Sequence, residues 1–183
     1  MLAYVREKWE PVFRIEHAQN GSSCCAGRAV VNGQLSAVTF VASEVIANAT
    51  LVIETRGQGF AEITREARQF LAQIGAKAGA LLIFMRHTSA SLVIQENADP
   101  DVRTDLATAL EHLAPADANW VHDVEGPDDM PAHVKAMLTG VSLHVPVIAG
   151  ALALGTWQGI YVAEHRVRPH RREVLMRFIG SCA

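Results

Sequence analysis

The sequence predicts an α+β protein with packed mixed β-sheets, two main helices and one short helix. Three observations carry this reading. Short β-branched and apolar runs recur along the chain, two segments repeat apolar residues at helical spacing, and the C-terminal part offers successive strands with no helix between them. The first strand candidates are residues 36–42, SAVTFVA, and 49–55, ATLVIET, separated by a polar break. Residues 59–75 place Phe60, Ile63, Ala67, Phe70 or Leu71, and Ile74 on one helical face. Residues 80–85, ALLIFM, form an unbroken apolar run and so predict a strand buried on both faces.

The next helix has defined ends. Asp99 is suited to cap it, Pro100 to its first position, and Val102, Leu106, Leu110 and Leu113 supply the apolar stripe, with Pro115 just beyond. After a loop, Pro131 is read as the start of a short helix that Gly140 closes. Residues 142–148, 159–165 and 173–179 complete the chain as strands. Residues 1–35 are rich in small turn formers and read as an N-terminal extension, which leaves 36–183 as a single domain.

Composition narrows the function classes. The chain has 183 residues, half of them apolar, enough for a substantial core. Its formal charge of -3 gives no overall field for nucleic acid or an anionic membrane. No apolar run approaches the ~20 residues that span a bilayer. Cys24 and Cys25 are adjacent and Cys182 is near the end, so no disulfide framework or cysteine-based zinc spacing exists. A cytoplasmic protein is expected.

Three segments hold the residues suited to chemistry. In HDVEGPDDMPAH, residues 122–133, a helix starting at Pro131 would put His133 in the first turn. There the helix dipole favours a neutral ring, able to ligate a metal or accept a proton. The Gly126–Pro127 turn can bring His122 alongside, with Glu125 and Asp129 as oxygen ligands or ring-orienting partners. The alternative is that Asp128 or Asp129 merely caps the helix and the histidines are ordinary loop residues. In the second segment, His87, Thr88 and Ser89 leave a strand end, where hydroxyls and free N–H groups can hold a phosphate or carboxylate. Asn97 and Asp99 precede a helix N-terminus, another anion-binding setting, although turn formation and capping explain the same residues. The third segment, 155–172, concentrates Arg166, Arg168, Arg171 and Arg172 with His165 and His170. These suit either phosphate recognition or a solvated strand edge, and Gln158 can line a pocket or bond backbone.

Together, HTSASLVIQENADPDVRTD, HDVEGPDDMPAHVKAML and GTWQGIYVAEHR resemble the YjbQ-type family of small bacterial and archaeal proteins, often labelled secondary thiamine-phosphate synthase. The likeness runs from about residue 36 to residue 180. It implies a compact α+β fold, a homotrimer with sites near subunit boundaries, and a histidine-lined pocket compatible with a divalent metal, zinc foremost. Carried over by position, His87, His122 and His133 are the metal ligands, with Glu125 and Asp129 in acid–base or supporting roles. Thr88, Ser89, Asn97, Gln158 and Arg166 are the residues expected to hold the substrate's anionic groups. His165 is left outside the triad.

Three functions follow as expectations. The first is a transferase joining a pyrimidine pyrophosphate to a thiazole phosphate, giving thiamine phosphate and pyrophosphate. The second is a metal-dependent hydrolase or lyase on a small phosphorylated or carboxylated metabolite. The third is a non-catalytic trimeric metabolite-binding protein. Nucleic acid is the least favoured partner, and no membrane partner is expected.

Overall fold

The structure is a computed structural model describing residues 42–183. The extension 1–35 and nearly all of the strand read at 36–42 lie outside the described residues. Eight strands and three helices follow in the order β1 (Val45–Glu54), β2 (Gly59–Glu62), α1 (Thr64–Gln73), β3 (Ala76–Met85), β4 (Ala90–Glu96), α2 (Pro100–Leu113), α3 (Asp129–Thr139), β5 (Ser142–Ile148), β6 (Ala151–Leu152), β7 (Gln158–Glu164) and β8 (Arg171–Cys182). The α+β class holds. Every strand pairing among the described residues is antiparallel, where mixed sheets were expected. A five-stranded sheet has the order β1-β8-β3-β5-β6, and a three-stranded sheet the order β2-β7-β4.

The small sheet is the middle layer, and alternation along its strands shows why. Leu92, Ile160 and Val162 pack into one core with Leu81, Ile83 and Met85 of β3, Val174, Met176 and Phe178 of β8, and Ala67, Phe70 and Leu71 of α1. The opposite face, bearing Ser91, Tyr161 and Ala163, lies under α2 and α3. Strand β7 is therefore covered on both sides and buried from Gly159 to Glu164. This sandwiching holds β7 between the layers, and its C-terminal end delivers Glu164, His165 and Arg166 to the region described next.

Four local readings change. The helical spacing from Phe60 starts too early, because residues 59–62 pair with β7 (Phe60 opposite Ala163) and the helix begins at Thr64. Sheet pairing outweighs local periodicity here. Residues 90–96, to which the sequence reading assigned no element, form strand β4, with Leu92 and Ile94 on one face and Ser91, Val93 and Gln95 on the other. Strand β3 is not buried on both faces, since Phe84 is 46% exposed on the outer side of the large sheet. Helix α3 starts at Asp129, two residues before Pro131. Helix α2 starts as read: Asp99 caps it, its carboxylate accepting from Asp101 N at 2.9 Å, and Pro100 follows, but Leu113 of the expected apolar stripe is 66% exposed in the last turn. No helix among the described residues is long and apolar enough to cross a membrane.

Candidate functional site

The loop between α2 and α3 is drawn onto the β7–β8 connection by one arginine. Arg166 leaves the end of β7 with its side chain only 14% exposed. Its Nε donates to Asp128 Oδ2 at 3.0 Å, its Nη1 to Asp129 Oδ1, and its Nη2 to the Glu125 carbonyl at 2.7 Å. The Val167 amide adds a bond to Asp128 at 2.8 Å. Asp128 is the residue preceding the helix, yet its carboxylate makes no capping bond, being turned to this clamp instead. Gly126 (φ 111°) supplies the left-handed residue that lets the chain turn into α3.

The clamp orients Asp129. Its carboxyl is buried, one oxygen is held by Arg166, and the other, Oδ2, points to two imidazoles: His122 Nε2 at 2.7 Å and His133 Nε2 at 3.2 Å. Asp129 and His133 are four residues apart on α3 and so share a face. Glu125 Oε2 approaches His122 Nε2 at 3.4 Å from solvent. One donor atom from each of His122, Glu125, Asp129 and His133 lies within 4.8 Å of all the others. Burial alone would raise the Asp129 carboxyl, but contacts with Glu125 and His122 and the charges of Arg166 and His133 hold it below the ordinary range. Its place in the first turn of α3 favours the anion further. The helix dipole therefore acts on Asp129 and not on His133, where it was expected, because His133 falls beyond the first turn.

The ring of His133 carries a definite demand. Its Nδ1 lies 3.1 Å from the Thr88 carbonyl, which can only accept, so Nδ1 holds the proton. In the neutral ring Nε2 then presents a lone pair to Asp129 Oδ2, itself an acceptor. Two acceptors at 3.2 Å need a cation between or beside them, a proton or a metal ion. The donor set of two imidazole nitrogens and two carboxylate oxygens, with the His133 ring held from behind by the Thr88 carbonyl, fits zinc.

The remaining sequence candidates divide. Thr88 meets the cluster through its carbonyl and lines a shallow depression of about 360 Å³ beside His133. His87 is not in the cluster: its Nε2 accepts from Glu173 N at 2.9 Å. Burial first, then the Arg172 charge, pushes the pKa of this ring down. Ser89 accepts from Arg172 Nη2 at 3.2 Å. Asn97 and Gln158 meet each other, Asn97 Nδ2 reaching the Gln158 carbonyl at 3.4 Å, at the opposite end of the β4–β7 pair. Six residues of strand put them about 20 Å from the Ser89 end within one chain. Arg166 is engaged by carboxylates rather than free. The Asp128–Arg166 clamp had no sequence signal, since the partners lie 38 residues apart and meet only through the fold.

Comparisons with known proteins agree with this architecture. The family model described as "UPF0047 protein YjbQ-like" matches residues 49–181. A UPF0047 protein of Synechocystis is 47% identical over 80% of this chain and 97% of its own length. UPF0047 protein YjbQ of Escherichia coli O157:H7 is 39% identical over 72% of this chain and 96% of its own. Among solved structures, a YjbQ/UPF0047 family protein from Clostridium acetobutylicum superposes with a TM-score of 0.68 at 36% identity, covering 72% of this chain and 99% of that one. The family match, the relatives spanned almost end to end and the shared fold have one reading: this chain belongs to the UPF0047 YjbQ-like family.

Proposed function

We propose that His122, Glu125, Asp129 and His133 hold a divalent metal, zinc by preference, in an enzyme acting on a small phosphorylated or carboxylated metabolite. One observation carries the reading: the oriented Asp129 oxygen facing two imidazole nitrogens, one of which has its proton committed to the Thr88 carbonyl. A zinc ion lowers the pKa of bound water and polarises an anionic substrate. The chain's own residues do the rest. Arg166 fixes Asp129 and leaves it one oxygen to present, and the Thr88 carbonyl sets the His133 tautomer. Glu125, exposed and held most loosely, is placed to carry a proton between the site and solvent.

Hydrolysis or lysis ranks ahead of the transferase that makes thiamine phosphate. A departing pyrophosphate needs free cationic groups, and the arginine nearest the cluster is already bound by Asp128 and Asp129. The reading includes assembly as a homotrimer. Support comes from the large apolar side chains exposed on the outer face of the large sheet, Ile46, Val52, Phe84 and Ile148.

The test is turnover by zinc-loaded protein across phosphatase, esterase and lyase substrates, with thiamine phosphate formation assayed in parallel. Zinc-dependent turnover that His122→Ala abolishes supports the reading. Thiamine phosphate as the only product would reverse the ranking. Silence in every assay would leave the non-catalytic binding protein in first place.

A further inference from the structure

A second polar pocket lies across α3 from the histidine cluster. Lys135 follows His133 by two positions, about 200° around the helix, and so points away from the cluster. It enters a cavity of about 50 Å³ walled by Phe60 at the start of β2, Leu110 and Glu111 of α2, and Ala163 and His165 at the end of β7. The walls are largely apolar, yet two of the groups are among the most buried polar side chains described. Lys135 is 2% exposed and His165 3%.

Both carry unused hydrogen-bonding capacity. An ammonium has three donors, and among the described residues the one side-chain partner of Lys135 Nζ is Glu111 Oε1. The Glu111 side chain is 43% exposed, so it reaches in from solvent and can swing out. The His165 Nε2 bonds Ser91 Oγ at 2.8 Å, while its Nδ1 has no partner among the described residues. No described side-chain nitrogen or oxygen sealed from solvent lacks a partner, and the His165 ring lines the cavity. Burial, then the Lys135 charge, pushes the His165 pKa down to about 4, which keeps the ring neutral near pH 7.

The hydroxyls behind His165 allow its free nitrogen to work either way. Thr139 Oγ1 lies 2.7 Å from the Lys135 carbonyl and 2.6 Å from Ser91 Oγ, and it has one proton to give. When Thr139 donates to the carbonyl, Ser91 donates to Thr139 and His165 Nε2 to Ser91, leaving Nδ1 an acceptor. When Thr139 donates to Ser91, the chain reverses and Nδ1 carries the proton.

We propose that this pocket binds a small carboxylic acid, with the ligand's carboxylate replacing that of Glu111 on Lys135 and His165 Nδ1 bonding an adjacent hydroxyl or carbonyl. The exchange is of like for like, a carboxylate for a carboxylate. A phosphate dianion asks for more donors than one ammonium, and Glu164 also lines the cavity. At one water per ~10–15 Å³ of such space, this volume takes roughly three to five heavy atoms. The pocket is separate from the metal reading and does not depend on it.

Acetate and glycolate, titrated into the full chain while the His165 ring nitrogens are followed by NMR, test the proposal. Saturable shifts are expected in the wild type, with glycolate binding more tightly than acetate because its hydroxyl reaches Nδ1. Lys135→Met should weaken binding at least tenfold. Glu111→Gln should tighten it severalfold, because the competing carboxylate is gone. The opposite signs of these two variants are the discriminating result, and Glu111→Gln decides alone if Lys135→Met fails to fold. Identical titrations with and without zinc would separate this pocket from the histidine cluster. The proposal is overturned if no saturable shift occurs, if Glu111→Gln weakens binding, or if chloride and inorganic phosphate give the same shifts as acetate.

Discussion

Two arginines six residues apart each grip a buried carboxylate, and they leave those carboxylates in different states. Arg172 binds both oxygens of Glu164, at 2.7 Å through Nε and 2.6 Å through Nη2. Thr55 Oγ1 and the Arg166 amide complete the shell, and both side chains are almost wholly buried. Arg166 takes one oxygen of Asp129 and leaves the other to two imidazoles at the edge of solvent. A closed pair has no capacity for a ligand and belongs to the architecture. A half-closed pair holds its second oxygen in place for something else. The same residue types thus divide into structure and candidate chemistry according to which oxygens remain.

Breaking the closed pair should produce the largest effect on stability. Arg172→Met strands a buried carboxylate and should cost about 3–5 kcal/mol in urea unfolding. Replacing Glu164 and Arg172 together with apolar residues should restore most of that, because no unpaired charge is left. Losing the Arg172 contacts without loss of stability would erase the distinction between the two sites.

Arg166→Ala should show the mixed behaviour of a positioning residue. Asp129 loses its charge-assisted bond, so stability should fall by about 2 kcal/mol, and zinc affinity by about 10–100-fold. His122→Ala should do the reverse of Arg172→Met. Its ring is 44% exposed, so unfolding free energy should stay within about 0.5 kcal/mol while zinc binding is lost. A stability loss as large as that of Arg172→Met would make His122 a structural residue.

A separate effect concerns pH. The His165 pKa is lowered, so the unfolded chain binds a proton that the folded chain refuses between pH 6.5 and about 4. Its contribution is fully present above pH 6.5 and is lost as pH falls through that window. Glu164 acts lower. Burial would raise its carboxyl, but the Arg172, Arg166 and Thr55 hydrogen bonds outweigh burial and depress it, so its contribution is present above its ordinary pKa of 4.5 and fades below that. His165→Phe should reduce the slope of the stability profile between pH 6.5 and 4, where His87 still contributes, and leave the more acidic limb unchanged. Urea midpoints across pH measure both.

Much of this was legible in the sequence, and the limits have physical causes. Asp99 and Pro100 marked the start of α2 because capping is local chemistry, and the three C-terminal strands followed from their apolar runs. His122, Glu125, Asp129 and His133 were legible together because one loop and one helical turn carry all four. Strand β2 was hidden because Phe60 fits a helical stripe as well as a strand, and only β7 decides between them. The Arg166 clamp, the pairing of Arg172 with Glu164 and the Lys135–His165 pocket were not legible. Each depends on how the middle sheet places segments far apart in the chain.

The central claim is that Asp129, held by Arg166 through one oxygen, presents the other to a metal shared with His122 and His133. Zinc titration followed by calorimetry, on protein purified without an affinity tag and stripped of metal, tests it most directly. About one zinc per chain is expected in the wild type, with binding lost in both His133→Ala and Asp129→Asn while each variant keeps its fold. Zinc binding that survives both substitutions, or a wild-type chain that takes up no divalent metal, would contradict it.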